Sequence, residues 1–195
     1  AFYELGKRIL DLLGSVVGIV IFLLTAPIIS LAIVLETGFP VFYGQDRLGK
    51  GGEPFKLYKF RTMQQDAEAD GVAQLAQEND PRVTRVGNVL RKTRLDEFPQ
   101  FFNVLRGEMS LVGPRAEREE LVQKFQEQIP FYRARLLVKP GISGWAQITQ
   151  GYASSIFGTS LKLEYDLYYI KHRTAGMDMT ILLRTFWTVF GFKGR

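Results

Sequence analysis

The chain is 195 residues long, 46% hydrophobic and 23% charged, which fits one folded unit with its own core and argues against disorder. Its 25 Lys and Arg against 20 Asp and Glu give a formal net charge of +5, suited to anionic partners such as nucleotides, phospholipid headgroups or nucleic acid without choosing among them. No cysteine and a single histidine, His172, exclude disulfides, thiol nucleophiles, Cys-ligated zinc and multi-histidine metal sites. Any catalytic metal must therefore be held by oxygens, as magnesium is. The chain starts at Ala1 rather than Met and is expected to be a fragment or processed form.

From Ile9 to Leu35 the sequence is apolar apart from Asp11. The uncharged part covers about 24 residues, roughly 36 Å as a helix, against a hydrocarbon core of about 30 Å. It is too long for a secretory signal and too uniformly apolar for a buried helix, so it is expected in the membrane. Pro27 interrupts the run, while Lys7 and Arg8 before it and Arg47 and Lys50 after it pull both flanks to one side. Hydropathy alone leaves two forms open: a kinked spanning helix, or a segment broken at Thr25-Ala26-Pro27 that dips in and returns. The membrane part is assigned to residues 1–38 and one further domain to residues 39–195.

Val41 to Tyr43 and Phe55 to Phe60 flank the Gly-rich turn Leu48 to Gly52 and predict a β-hairpin. Gln64 to Gln77 reads as an exposed polar helix, and Val86 to Lys92 as a short basic one. Thr93 to Asp96 opens another, with Phe98, Phe101, Phe102 and Leu105 at helical spacing and Gly107 at its end. A charged helix over 116–128, a further one from Pro130, a loop over 139–145 and helices over 161–171 and 179–190 complete the chain. The fold class is α+β, mainly helical.

The adjacent acids Asp96 and Glu97 stand at a predicted helix start, just after Arg82, Arg85, Arg91, Lys92 and Arg94. A carboxylate can attack phosphorus to form an acyl phosphate, and its neighbour can hold the magnesium that neutralises a diphosphate. Plain first-turn preference for acids explains the pair equally well. Gly113-Pro114-Arg115 presents a guanidinium after a tight turn, able to grip a phosphate or to pair with Glu117 to Glu120. Lys59 and Arg61, at the end of the second hairpin strand, suit either ligand binding or solvent. The aromatics and cations of 179–195 suit a membrane interface or ordinary packing, and His172 reads as a surface residue.

Together these motifs resemble the bacterial sugar transferases, the monotopic phosphoglycosyl transferase family. The matching stretches are Lys7-Arg8 with the Pro-broken apolar segment, Gln45 to Gly49, Pro54 to Met63, Asn79 to Thr84, Arg91 to Gln100, Ser110 to Arg115, Lys139 to Gln147 and Tyr165 to Ile170. The resemblance implies a re-entrant helix-break-helix hairpin entering one leaflet of the bacterial inner membrane, a catalytic domain on the cytoplasmic face and interfacial amphipathic helices. It implies transfer of a sugar-1-phosphate from a nucleotide diphosphate-sugar, most simply a UDP-sugar, to polyprenyl (undecaprenyl) phosphate, releasing UMP. Such a step opens exopolysaccharide, capsule or O-antigen assembly. Carried onto this chain, Asp96 is the nucleophile and Glu97 the Mg2+ ligand, with Asp96 beside it. Arg115 holds a substrate phosphate, supported by Lys59, Arg61, Arg94 and Pro114.

Two positions depart from the family pattern. Ala26 replaces the Ser before Pro27, leaving Thr25 to supply a hydroxyl bond, and Ala116 replaces a Pro after Arg115. Longer members carry extra N-terminal helices and a soluble domain, and this chain resembles their catalytic portion. A membrane-tethered module for anionic lipid or nucleic acid is the rival from another class, but it leaves Asp96 and Glu97 unexplained, so nucleic acid is not expected as a partner. A nucleotide-sugar hydrolase would share the first chemical step. Membrane lipids are expected partners; the sugar and the oligomeric state are not written in these residues.

Overall fold

A computed structural model of the chain describes residues 2–65, 67, 80–150 and 155–190. The polar helix expected over 64–77 lies almost wholly outside them.

The first element, α1 (Phe2–Thr37), is one 36-residue helix. Asp11, Ser15, Gly18, Phe22, Ile29 and Ile33 are buried along one side of it, at the three-, four- and seven-residue spacing of a single helical face. Leu13, Val17, Leu24, Ile28, Leu31 and Leu35 stand exposed on the other sides. Only 22% of its most apolar stretch is buried, which is not the pattern of a soluble core helix, and it is long and apolar enough to cross a membrane.

The interruption expected at Thr25-Ala26-Pro27 is not a gap in the helix, which stays helical in secondary structure through Pro27. Pro27 deprives the Leu23 carbonyl of its usual N–H partner. One turn earlier, Thr25 Oγ1 donates to Ile21 O (2.8 Å) and Phe22 O (3.3 Å), the hydroxyl bond expected of it.

Both ends of α1 hold the rest of the molecule. Near its start, Lys7 Nζ donates to Val112 O (2.9 Å) and pairs with Asp178 (3.0 Å), while Arg8 donates to Val104 O and Leu105 O. Asp11 accepts from Ser110 Oγ and the Leu111 N–H, both at 2.9 Å. At the far end, Glu36 accepts from the Arg85 and Val86 N–H groups.

Strands β1 (Phe42–Leu48) and β2 (Pro54–Phe60) form the expected hairpin, antiparallel, with Tyr43 opposite Lys59 and Arg47 opposite Phe55. Next comes α2 (Arg85–Thr93), whose N-terminus is capped by Thr84 Oγ1 accepting from the Gly87 N–H. The helix expected to open at Thr93 is instead a 3-10 turn, Leu95–Gln100, running into α3 (Phe101–Arg106). Gly107, at φ 84°, closes α3.

A second sheet pairs β3 (Ser110–Val112) in parallel with β4 (Gly141–Ser143), a strand inside the segment expected to be loop. Between them, α4 is shorter than expected (Glu119–Gln126), and the helix expected from Pro130 is a 3-10 turn, Tyr132–Leu137. Helices α5 (Trp145–Thr149), α6 (Ile156–His172) and α7 (Ala175–Phe190) follow.

Among the described residues the core falls into three clusters, and the third mixes Phe22, Ile29 and Ile33 of α1 with Val41, Phe60 and Leu90. Helix α7 buries Ile181 and leaves Met179, Leu183, Phe186 and Trp187 exposed. His172 is exposed, as expected of a surface residue.

At Gly18, α1 lies directly against the Phe101 ring, where an added Cβ would lie 2.4 Å away. Gly18→Leu is expected to displace this contact and cost about 1–3 kcal/mol of stability, measured by thermal denaturation in detergent. An unchanged melting temperature would mean that α1 is not packed on Phe101.

Candidate active site

Asp96 and Glu97 occupy the first turn of the 3-10 segment and are 7% and 6% exposed. Arg94 positions them. Its backbone is left-handed (φ 58°), unusual for a residue with a side chain, and its N–H closes α2 by donating to Arg91 O. The Glu97 N–H in turn donates to Arg94 O at 3.2 Å. The chain thus reverses sharply just before the two acids and turns them inward.

Three cations from three elements meet Glu97. Lys59 Nζ, from β2, lies 3.0 Å from Oε1; Arg115 Nη1 lies 3.4 Å from the same oxygen; Arg94 Nη1 lies 3.5 Å from Oε2. Arg115 is placed by the second sheet: the Gly113 N–H donates to Ser143 O and the Gly141 N–H to Pro114 O. Its carbonyl accepts from Arg135 Nη2 at 3.1 Å, and Arg135 is itself fixed by Asp166 (2.8 Å) and the Tyr132 hydroxyl (2.7 Å). The Arg115 side chain remains 42% exposed, the open wall of the site.

The two acids are driven apart electrostatically. Burial pushes the Asp96 carboxyl up to about 6, with the Glu97 charge adding to it and Lys59, Arg91 and Arg94 opposing. Burial also acts to raise Glu97, but Lys59, Arg115 and Arg94 together overrule it and hold Glu97 well below the usual carboxylate range. Burial pulls the Lys59 ammonium down, against Glu97. Asp96 Oδ1 is buried without a hydrogen-bond partner. The arrangement offers one permanently ionised, cation-bound carboxylate beside a less encumbered one able to act as nucleophile near neutral pH.

Asp96, Glu97, Lys59, Arg94 and Arg115 are therefore brought together, with Pro114 contributing its carbonyl to the fixing of the loop. Arg61 is not among them: its guanidinium donates to Thr37 Oγ1 (2.6 Å) and to Gly38 O, closing the end of α1. Arg91 Nε donates to Thr62 Oγ1 and Arg82 pairs with Asp80. Glu117, the alternative partner for Arg115, faces Arg47 (3.7 Å) and Arg135 (3.6 Å). Arg47, Gln100 and Arg135 adjoin the site without having been singled out. Arg47 and Arg135 arrive by strand pairing and tertiary packing, which no local spacing announces, whereas Gln100 ends the same 3-10 turn as the two acids.

The family model for bacterial sugar transferases matches residues 2–192. The chain belongs to that family. A protein of Aeromonas hydrophila named UDP-N-acetylgalactosamine-undecaprenyl-phosphate N-acetylgalactosaminephosphotransferase is 48% identical over 99% of this chain and 46% of its own length. The UDP-glucose:undecaprenyl-phosphate glucose-1-phosphate transferase of Escherichia coli is 43% identical over 98% of this chain and 41% of its own length. One of the same name from Caulobacter vibrioides is 39% identical over 93% of this chain and 68% of its own length. The chain thus spans under half of the first two relatives and about two thirds of the third.

The raised Asp96 makes a stability prediction with a definite sign. Unfolded, its carboxyl titrates near 3.8; folded, near 6, so between those values the folded protein holds the extra proton and loses stability as pH rises. A gap of about two pH units corresponds to about 3 kcal/mol. Asp96→Asn is expected to unfold at higher temperature than the parent at pH 8, and the difference should close near pH 4. An Asn variant less stable than the parent at pH 8 would contradict the raised Asp96.

Proposed function

We propose that this chain transfers a sugar-1-phosphate from a UDP-sugar to undecaprenyl phosphate, with Asp96 as the nucleophile. The observation that carries this proposal is the buried acid pair itself, with Glu97 held by Lys59, Arg94 and Arg115 while Asp96 Oδ1 stays uncommitted. A carboxylate with its lone pairs free, beside cations that can attract a diphosphate, is set up for attack on phosphorus. Attack on the sugar-linked phosphorus forms an aspartyl phospho-sugar and releases UMP; the lipid phosphate then takes the phospho-sugar from Asp96. The names of the relatives point to the same substrates.

The residues fit a divalent cation in their donor chemistry. Glu97 offers two carboxylate oxygens, each already paired with a side-chain cation, and Asp96 one unpartnered buried oxygen, and among the described residues no group of three or more acidic, His or Cys side chains exists to form an all-protein cage. Mg2+ held by Glu97 and Asp96 would supply neutralisation of the diphosphate charge, with substrate oxygens and water filling the remaining positions. Lys59, Arg94 and Arg115 orient Glu97 and offer further positive charge.

The lipid substrate places the site at a membrane, and α1 supports a re-entrant insertion from one face. Straight, 36 residues would extend about 54 Å, yet Lys7 and Arg8 at one end and Glu36 and Thr37 at the other all touch the same domain. A spanning helix would carry one of those ends to the opposite surface. We place that domain on the cytoplasmic face of the bacterial inner membrane, where nucleotide sugars are found, at the opening step of a surface polysaccharide.

The test is UMP release by detergent-solubilised protein supplied with Mg2+, undecaprenyl phosphate and a panel of UDP-sugars. Release is expected to need both the lipid phosphate and Asp96, and kcat/KM should fall as pH drops through about 6, where Asp96 takes up its proton. Release that continues without lipid phosphate would make the protein a hydrolase, and equal release by Asp96→Asn would remove Asp96 from the mechanism.

A further inference from the structure

Beside Glu97 lies a small cavity that Asp96 does not line; its walls include Arg47, Lys59, Gln100 and Arg115. Its free room is about 10 Å3, enough for about one water molecule. Lys59 and Arg115 share their charge with Glu97, but two other lining residues, Gln100 and Arg47, each keep one donor uncommitted. Gln100 is 3% exposed and its Nε2 has no hydrogen-bond partner, and Arg47 Nε is likewise buried and unpartnered. The remaining guanidinium nitrogens of Arg47 are engaged: Nη1 donates to Ala116 O at 3.1 Å and Nη2 to Gln45 Oε1. Buried donors left unpaired destabilise a fold and call for an explanation, one of which is a ligand acceptor that arrives later.

We propose that Gln100 and Arg47 form a subsite for the nucleotide-side phosphoryl group of the donor, the one that departs as a nucleoside monophosphate. This rests on the transfer proposed above. When an Asp96 oxygen bonds to the sugar-linked phosphorus, the bond from that phosphorus to the bridging oxygen breaks. The electron pair stays on the bridging oxygen, so negative charge grows on the departing monophosphate. Donors placed on the Glu97 side, away from the nucleophile, meet that charge where it develops. Entry of a phosphoryl oxygen requires a wall to move, and Arg115 is the exposed one. Gln100 sits four residues after Asp96, at the end of the same 3-10 turn, so nucleophile and leaving-group donor share one rigid segment.

The experiment measures UMP affinity by calorimetry, ligand-free melting temperature, and UMP release from UDP-sugar for the parent, Gln100→Met and Arg47→Lys. Gln100→Met removes an unpaired buried donor, so its melting temperature should hold or rise while UMP binding weakens about tenfold. Arg47→Lys keeps the charge and loses Nε, and should weaken UMP to a similar degree. A residue that merely packs would lower the melting temperature and leave UMP affinity alone. That result, or parent-level UMP binding and turnover in both variants, overturns the subsite. A parent protein that neither binds UMP nor releases it from any UDP-sugar overturns the transfer itself and the subsite with it, an outcome distinct from an active parent with equally active variants.

Discussion

Glu97 is buried beside a second carboxylate, an arrangement opposed both by burial and by like-charge repulsion. It is held there by three cations, and each comes from a different part of the fold. Lys59 requires the hairpin to pair in its observed register. Arg94 requires a left-handed residue at the end of α2, so that its backbone turns the chain while its side chain returns to Glu97. Arg115 requires β3 and β4 to lie parallel and Arg135 to pin its carbonyl. Much of the chain after α1 can be understood as the scaffold that brings these charges within 3.5 Å of one carboxylate. The result leaves Asp96 as the group whose ionisation responds to conditions, because the cations favour its neighbour.

The apolar helix belongs to the same mechanical unit. Asp11 binds the Ser110 hydroxyl and the Leu111 N–H, on the strand that leads within a few residues to Arg115. Arg8 caps the end of α3, donating to the Leu105 carbonyl and to the Val104 carbonyl, which also accepts from the Gly107 N–H. Lys7 joins β3 to α6 and α7 through Val112 O, Tyr169 and Asp178. The polar residues at the start of α1 therefore connect the apolar helix to the backbone that carries the site. Ordinary anchors have no need of a buried carboxylate.

Much of this was legible in the sequence, for local reasons. The 24-residue apolar run, the Gly-rich hairpin turn, Gly107 as a helix terminator and the acid pair are all signals confined to a few neighbouring residues. What escaped was non-local. The strand Gly141–Ser143 is three residues long and reads as loop until its parallel partner is known, because a strand that short shows no periodicity. The 3-10 form of Leu95–Gln100 follows from Arg94 in the left-handed region, a conformation that an arginine does not advertise. Arg61 sits two residues from Lys59 on the edge of the same strand, and only the position of the α1 end shows that it binds Thr37 instead of the acids. Pro27 signalled a break, and the chain stays helical there, with Thr25 bonding the carbonyls one turn back.

The way Phe22, Ile29 and Ile33 interleave with Val41, Phe60 and Leu90 has a practical side. A version of this protein trimmed after Gly38 to make it easier to handle would not be the same fold minus one helix. It would present the side chains of Val41, Phe60 and Leu90 to water and release the N-terminus of α2 from Glu36. Helix α1 is thus part of the fold of the residues that follow it, and efforts to purify the protein should change what surrounds the helix and leave the helix in place.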